Sequence, residues 1–397
     1  MLPLTKGCAN ISSMTETAER WRQVRRMVNE RRLSLVTQAA RLYPGAARVA
    51  GTDLLGRPEW LPAAPVELGE IGLRWSSRPP APHTDATAAA AAHLLPQHAP
   101  GGPFPNYATA VAVVDPPALF QNRVCYRLLD ATLTGPARLT MGPARYFDAM
   151  NLGHAVAHEL AAAQEQAGPA QEQARPGPAL AGLPLRAALG DPCALSQRTT
   201  LTAVTTLTLR RAPDGAASFL LHWRDPARVN HAGGAYQVMP AGIFQPVTDR
   251  PAAQQADFSL WRCMTREFSE ELLGGSEDYP TRDGVLDYGL WPFARELAAA
   301  RDAGTLRVHC VGLGVDPLTL ATDLLTVAVF DSEVFDRLFR DLVTANAEGR
   351  VVTENGSAAI PFTAATVDRF TGGAEPMQTA GAALLRLAWQ HRGDLLG

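Results

Sequence analysis

Arg266-Glu267-Phe268-Ser269-Glu270-Glu271 is the segment of this chain best suited to chemistry. Read as an α-helix, at about 100° per residue, it sets Glu267, Glu270 and Glu271 at i, i+3 and i+4 on one stripe. Trp261, Met264, Phe268 and Leu272 centre on a face turned away from that stripe. One face packs and the other is acidic. Three carboxylates this close repel one another unless paired or neutralised, and a hard divalent cation that takes only oxygen ligands relieves the repulsion. The expected ion is Mg2+, or Mn2+ in its place. An Arg-Glu-x-x-Glu-Glu run also suits an ordinary solvated helix face, so its setting in the chain has to decide.

That setting is a set of strands, a turn and a long loop. Thr205 to Arg210 and Ser218 to Trp223 read as strands joined by the turn Ala212-Pro213-Asp214-Gly215. Tyr236-Gln237-Val238-Met239-Pro240-Ala241-Gly242 reads as a further strand running into a turn. With the acidic helix, this order resembles the Nudix hydrolase superfamily. The family's box runs Gly, five residues, Glu, seven residues, then Arg-Glu-hydrophobic-x-Glu-Glu-x-Gly-hydrophobic. The helix matches and the loop diverges. Counted from Gly242, the family's first glutamate falls on Thr248, the Arg-Glu pair arrives ten residues late, and the closing glycine comes one position late, as Gly274. Gln245 and Asp249 are the loop's polar candidates to stand in for the missing carboxylate, although Gln245 brings no charge.

The resemblance implies that Glu267, Glu270 and Glu271 are metal ligands and catalytic residues, with Arg266 orienting the first of them. In the family the metal neutralises a diphosphate and activates water. The implied function is metal-dependent hydrolysis of a nucleoside-diphosphate-linked small molecule. The alternative is a non-catalytic Nudix-fold ligand sensor or transcriptional regulator, because the fold serves both uses. The implied fold class is α+β, with a C-terminal α/β/α sandwich on a mixed sheet that Leu306–Val311 and Leu324–Phe330 would complete, preceded by a smaller α+β domain.

Composition sets the outer bounds. The chain has 397 residues, 46% of them hydrophobic and 19% charged, enough for two globular units. A net charge of -3 provides no global field of the kind that draws nucleic acid or membranes. Five scattered cysteines without a C-x-x-C pair suggest neither a disulfide framework nor a structural zinc site. No secretory signal or membrane span is legible, and a cytoplasmic location is the default.

The chain divides by pattern into an N-terminal stretch 1–18, an α+β domain 19–160, a Pro/Gly/Gln-rich linker 161–184 and the Nudix-like domain 185–397 with a closing helix from Ala380. Residues 19–42 read as one helix carrying seven arginines. It is the only segment that offers phosphate contacts to nucleic acid, and its ordinary reading is an arginine-rich helix packed on its own domain. Residues 79–105 read as a loop. Thr109–Val114, Arg123–Leu129 and Ala137–Met141 read as strands, and Asp148–Gln164 as a helix whose His154 and His158, with Glu159, form a metal pair lacking a third ligand. The expected partner is a nucleotide-like small molecule. Self-association as a homodimer is compatible with the chain but carried by no motif.

Overall fold

The computed structural model describes residues 5–82, 84–98, 101–117, 120–167, 180–224, 234–275, 279–343, 349–352 and 359–397. Its centre is the strand Thr322–Asp331, whose run Leu-Leu-Thr-Val-Ala-Val-Phe is buried on both faces. Such a near-continuous apolar run belongs in the middle of a covered sheet. The strand lies parallel to Thr202–Arg211 and antiparallel to Leu306–Val315, so the sheet is mixed. Nine strands take part, in the order Ala47–Arg48, Leu55–Gly56, Leu306–Val315, Thr322–Asp331, Thr202–Arg211, Ala217–Phe219, Ile360–Pro361, with Ala241–Ile243 and Val66–Glu67 attached at the side. Strands from both sides of residues 161–184 therefore enter one sheet. The architecture is α+β.

Alternation along the central strand feeds two cores. Leu324, Ala328 and Phe330 pack with Met264, Phe268 and Leu297 on one face. Leu325, Val327 and Val329 pack with Leu384, Leu387 and Ala388 on the other. Helices Leu260–Glu267 and Pro292–Asp302 thus cover one face, and the closing helix Thr379–Gln390 covers the second.

Several elements differ from the sequence reading. Thr109–Val114 is the greater part of a helix, Tyr107–Val114, because Asn106 caps it by accepting the Thr109 N–H at 2.9 Å and its apolar residues pack beside Trp21 and Met150. The expected strand Ser218–Trp223 breaks at Leu220. Its halves, Ala217–Phe219 and Leu221–Arg224, join different sheets. Within 79–105 the alanine-rich part forms the helix Thr84–Ala91, as alanine's high helix propensity favours. The single helix expected over 19–42 is two, Thr5–Glu30 and Arg32–Arg41, and several of its arginines turn inward. Arg25 Nε donates to Asp115 at 2.8 Å and Arg32 Nη2 to Asp316 at 3.3 Å. Residues 168–179 of the expected linker lie outside the described residues; the preceding Gln164–Ala167 ends the helix Tyr146–Ala167.

Candidate active site

The short strand Ala241–Ile243 pairs antiparallel with Ala203–Thr205, and the acidic helix packs against it. Ser259 caps that helix by accepting the Arg262 N–H at 3.3 Å. Cys263, Met264, Phe268 and Leu272 are fully buried, and Phe268 meets Phe330 edge-on at 5.5 Å. This packing forces the opposite stripe toward the turn after Pro240. There the Glu267 carboxylate lies against the Cα of Gly242: a Cβ at that position would fall 1.8 Å from Glu267 Cδ and 2.0 and 2.1 Å from its oxygens. Glu271 Oε1 accepts the Ala241 N–H at 2.9 Å. Glu270 accepts from the hydroxyl of Tyr279, whose pKa is raised by burial and further by Glu270, so the phenol stays a neutral donor.

The helix is not regular to its end. Leu260–Glu267 is α-helical, but Phe268–Leu272 is a π turn that contains Glu270 and Glu271. An i→i+5 turn encloses one residue more than an α turn, and such single turns concentrate at functional sites. The chain leaves through Gly274 at φ +66°, with the Gly275 N–H returning to Ser269 O at 2.9 Å, a seven-residue closure one residue longer than the 6→1 bond of the usual left-handed cap. The wider turn rotates Glu270 and Glu271 away from the positions a uniform α-helix gives them relative to Glu267. Among the described residues no group of three or more His, Cys, Asp and Glu side chains stands in a geometry ready to hold a metal ion. The three glutamates therefore share a face of the molecule without forming a finished cage.

Arg266 is anchored beneath them. Its Nη1 donates to Tyr288 Oη at 2.6 Å, its Nη2 to Gln245 O at 2.6 Å, and Asp257 Oδ1 lies 3.5 Å away. The Asp257 side chain has 0% exposure and that of Arg266 5%, so this charge pair is out of water. Asp257 is completed by the Val247 N–H at 2.9 Å and the Tyr288 hydroxyl at 3.1 Å. Arg266 thus ties the helix to the enlarged loop.

The loop's other polar residues point elsewhere. Gln245 Oε1 accepts from Cys125 Sγ at 3.6 Å, while Asp249 accepts the Val124 N–H at 3.1 Å and pairs with Arg145 at 3.2 Å. Both fasten the loop to the strands Val124–Thr132 and Arg138–Arg145, and neither stands in for the carboxylate that Thr248 lacks. Sequence reasoning missed Asp257, Tyr279 and Tyr288. Asp257 was discoverable as the one acidic residue between Asp249 and Glu267; the two tyrosines sit in a later segment with no periodic relation to the helix.

The histidine pair is structural. His158 Nδ1 bonds to Tyr107 Oη at 3.1 Å, His154 Nδ1 lies 3.5 Å from Arg25 Nη1, and burial pushes both imidazoles down to about 3, which keeps them neutral. Glu159 instead accepts the Leu185 and Arg186 N–H groups. Cys125, Cys193, Cys263 and Cys310 are free and buried.

No protein-family model matches the chain. No curated protein matches it either. Among solved structures it is similar to a Nudix hydrolase from Alicyclobacillus acidocaldarius, with 16% identity, 47% of this chain and 90% of that chain covered, and a TM-score of 0.25. No helix of the described residues is long and apolar enough to cross a membrane.

Proposed function

We propose that the chain is a Nudix-type hydrolase that uses Mg2+ or Mn2+ to cleave a diphosphate linkage in a nucleotide-like small molecule. The observation that carries this reading is the seat of Glu267 on Gly242, since it brings the acidic helix onto the Pro240-Ala241-Gly242 turn as the resemblance requires. The helix and the late glycine fit the same reading. One residue extra before Gly274 is the length that the π turn Phe268–Leu272 absorbs, so the box closes on its glycine despite the insertion.

The donor set suits a hard cation: three carboxylates, all half-buried, supply oxygen ligands and negative charge. Glu267, Glu270 and Glu271 would hold the ion, Glu270 leaving Tyr279 and Glu271 leaving Ala241 to do so. When bound, the ion would neutralise diphosphate charge and lower the pKa of water. The chain's own part is to keep Glu267 against the turn, to hold the helix through Arg266 and Asp257, and to accept the water's proton on a carboxylate.

A second reading, a Nudix-fold sensor that binds its ligand without cleaving it, is favoured by the Tyr279–Glu270 hydrogen bond and by Thr248 in place of a carboxylate. The full chain incubated with Mg2+ and a panel of dinucleotides, nucleotide sugars and nucleoside triphosphates separates the two. Hydrolysis that Glu270→Gln and EDTA both abolish supports the enzyme. Ligand retained uncleaved supports the sensor, and neither binding nor turnover with any member argues against both.

A further inference from the structure

Tyr126 and Arg127, neighbours on the strand Val124–Thr132, point to opposite faces. Tyr126 turns toward the enlarged loop, its hydroxyl donating to Gln254 O at 2.6 Å. Arg127 faces a cavity of about 440 Å³ whose walls include Arg198, Asp148, Asn151, Ala91 and Leu189. The cavity therefore lies across the strand from the enlarged loop, and none of the three glutamates lines it.

Two guanidinium groups line it against a single wall carboxylate, that of Asp148. Arg127 is 3% exposed and Arg198 4%. Arg127 donates only to main-chain carbonyls, of Arg198 at 3.2 Å, Pro80 at 2.8 Å and Ser196 at 2.7 Å, which uses three of its five N–H groups. Arg198 donates to Pro192 O at 3.2 Å and Thr322 Oγ1 at 3.1 Å. Carbonyls and hydroxyls satisfy hydrogen bonds but bring no opposite charge, and buried ions that are only partly compensated favour a further anion. Asp148 on the same wall accepts the Arg145 N–H at 2.9 Å and acts on Arg127 through its charge, but it contacts neither guanidinium closely enough for an ion pair, so one carboxylate faces two cations. Burial lowers both guanidinium pKa values, that of Arg198 to about 10, still well above neutrality. Asn151 uses its carbonyl on the Ala108 N–H at 2.7 Å, which leaves its amide N–H groups as further donors on the wall.

We propose that this cavity binds a small organic oxyanion, a carboxylate or phosphate on an apolar body, its charged end on Arg127 and Arg198 and its body against Ala91 and Leu189. The guanidinium fork matches either oxyanion, and the mixed lining is that of a small-molecule site. The test is calorimetric titration of the full chain in EDTA with phenyl phosphate and with 3-phenylpropanoate, so that metal-bridged binding at the glutamates is excluded. Saturable binding of either probe, weakened about tenfold or more by Arg127→Gln and by Ala91→Phe but not by Glu270→Gln, is the result expected. Which probe binds sets the headgroup. If neither binds, or if binding persists unchanged in Ala91→Phe, the proposal is overturned. Ala91→Phe fills the space while keeping both arginines, so it decides the matter even if Arg127→Gln fails to fold.

Discussion

The carboxylate of Glu267 occupies the space that any side chain at position 242 would require, since a Cβ there would lie 1.8 Å from Glu267 Cδ. Gly242→Ala must therefore displace either the strand or the glutamate. The expected outcome is a stability loss of about 1–3 kcal/mol, as for other overpacked positions. If the proposed hydrolysis is right, turnover falls about a hundredfold, the scale of a misplacement near 1 Å. Chemical denaturation and steady-state kinetics read the two effects; an alanine variant equal to wild type in both would mean that Glu267 moves aside freely.

Asp257 and Arg266 form a desolvated pair, so removing one partner strands the other. Asp257→Ala is expected to cost about 3–5 kcal/mol in urea denaturation, because it leaves the arginine buried and uncompensated. A loss below about 1 kcal/mol would show that Tyr288 and Gln245 suffice to hold the helix.

Tyr279 competes for Glu270. Tyr279→Phe removes the hydroxyl that Glu270 accepts from, and should tighten Mg2+ binding by about tenfold, the scale of a hydrogen bond to a charged group. Calorimetric titration of Mg2+ against both proteins measures this. Equal affinities would place Glu270 outside the proposed metal set.

Asp323 gives the fold a pH dependence of known sign. Burial raises its pKa from 3.8 to about 6, against the lowering effect of the Thr205 hydroxyl that donates to it at 2.6 Å. Folding thus favours the protonated form. The stabilisation is complete below about pH 4 and fades as pH rises through 6, a change on the order of 3 kcal/mol. Asp323→Asn, neutral throughout, should gain on wild type at pH 7.5 and lose that advantage at pH 4. Denaturation curves at the two pH values test it, and a constant difference would place the carboxylate in contact with water.

The strands legible from sequence were those with long β-branched or apolar runs. Thr205–Arg210, Leu306–Val311 and Leu324–Phe330 all lie within observed strands: burial on both faces gives Leu324–Phe330 a near-continuous apolar run, while Leu306–Val311 alternates buried Leu306, Val308 and Cys310 with half-exposed Arg307 and His309. Tyr107–Val114 misled because a short apolar run does not declare its period, and the deciding group was a cap one residue before it. Within the site, helical spacing grouped the three glutamates, but the regular placement it assumes breaks at the π turn Phe268–Leu272. The π turn was foreshadowed by the displaced Gly274, which marks one residue too many for an α-helix of the expected length. The partners Asp257, Tyr279 and Tyr288 were not readable, since their contacts with the helix are set by the path of a loop and not by any local repeat.

Residues 47–67 supply three short strands to the margin of the large sheet, two of them laid directly on Leu306–Val315. A recombinant piece beginning near residue 185 would bare the amide and carbonyl groups of that strand to any neighbouring molecule with a similar margin. Such a piece should gather into oligomers under conditions that leave the whole polypeptide dispersed.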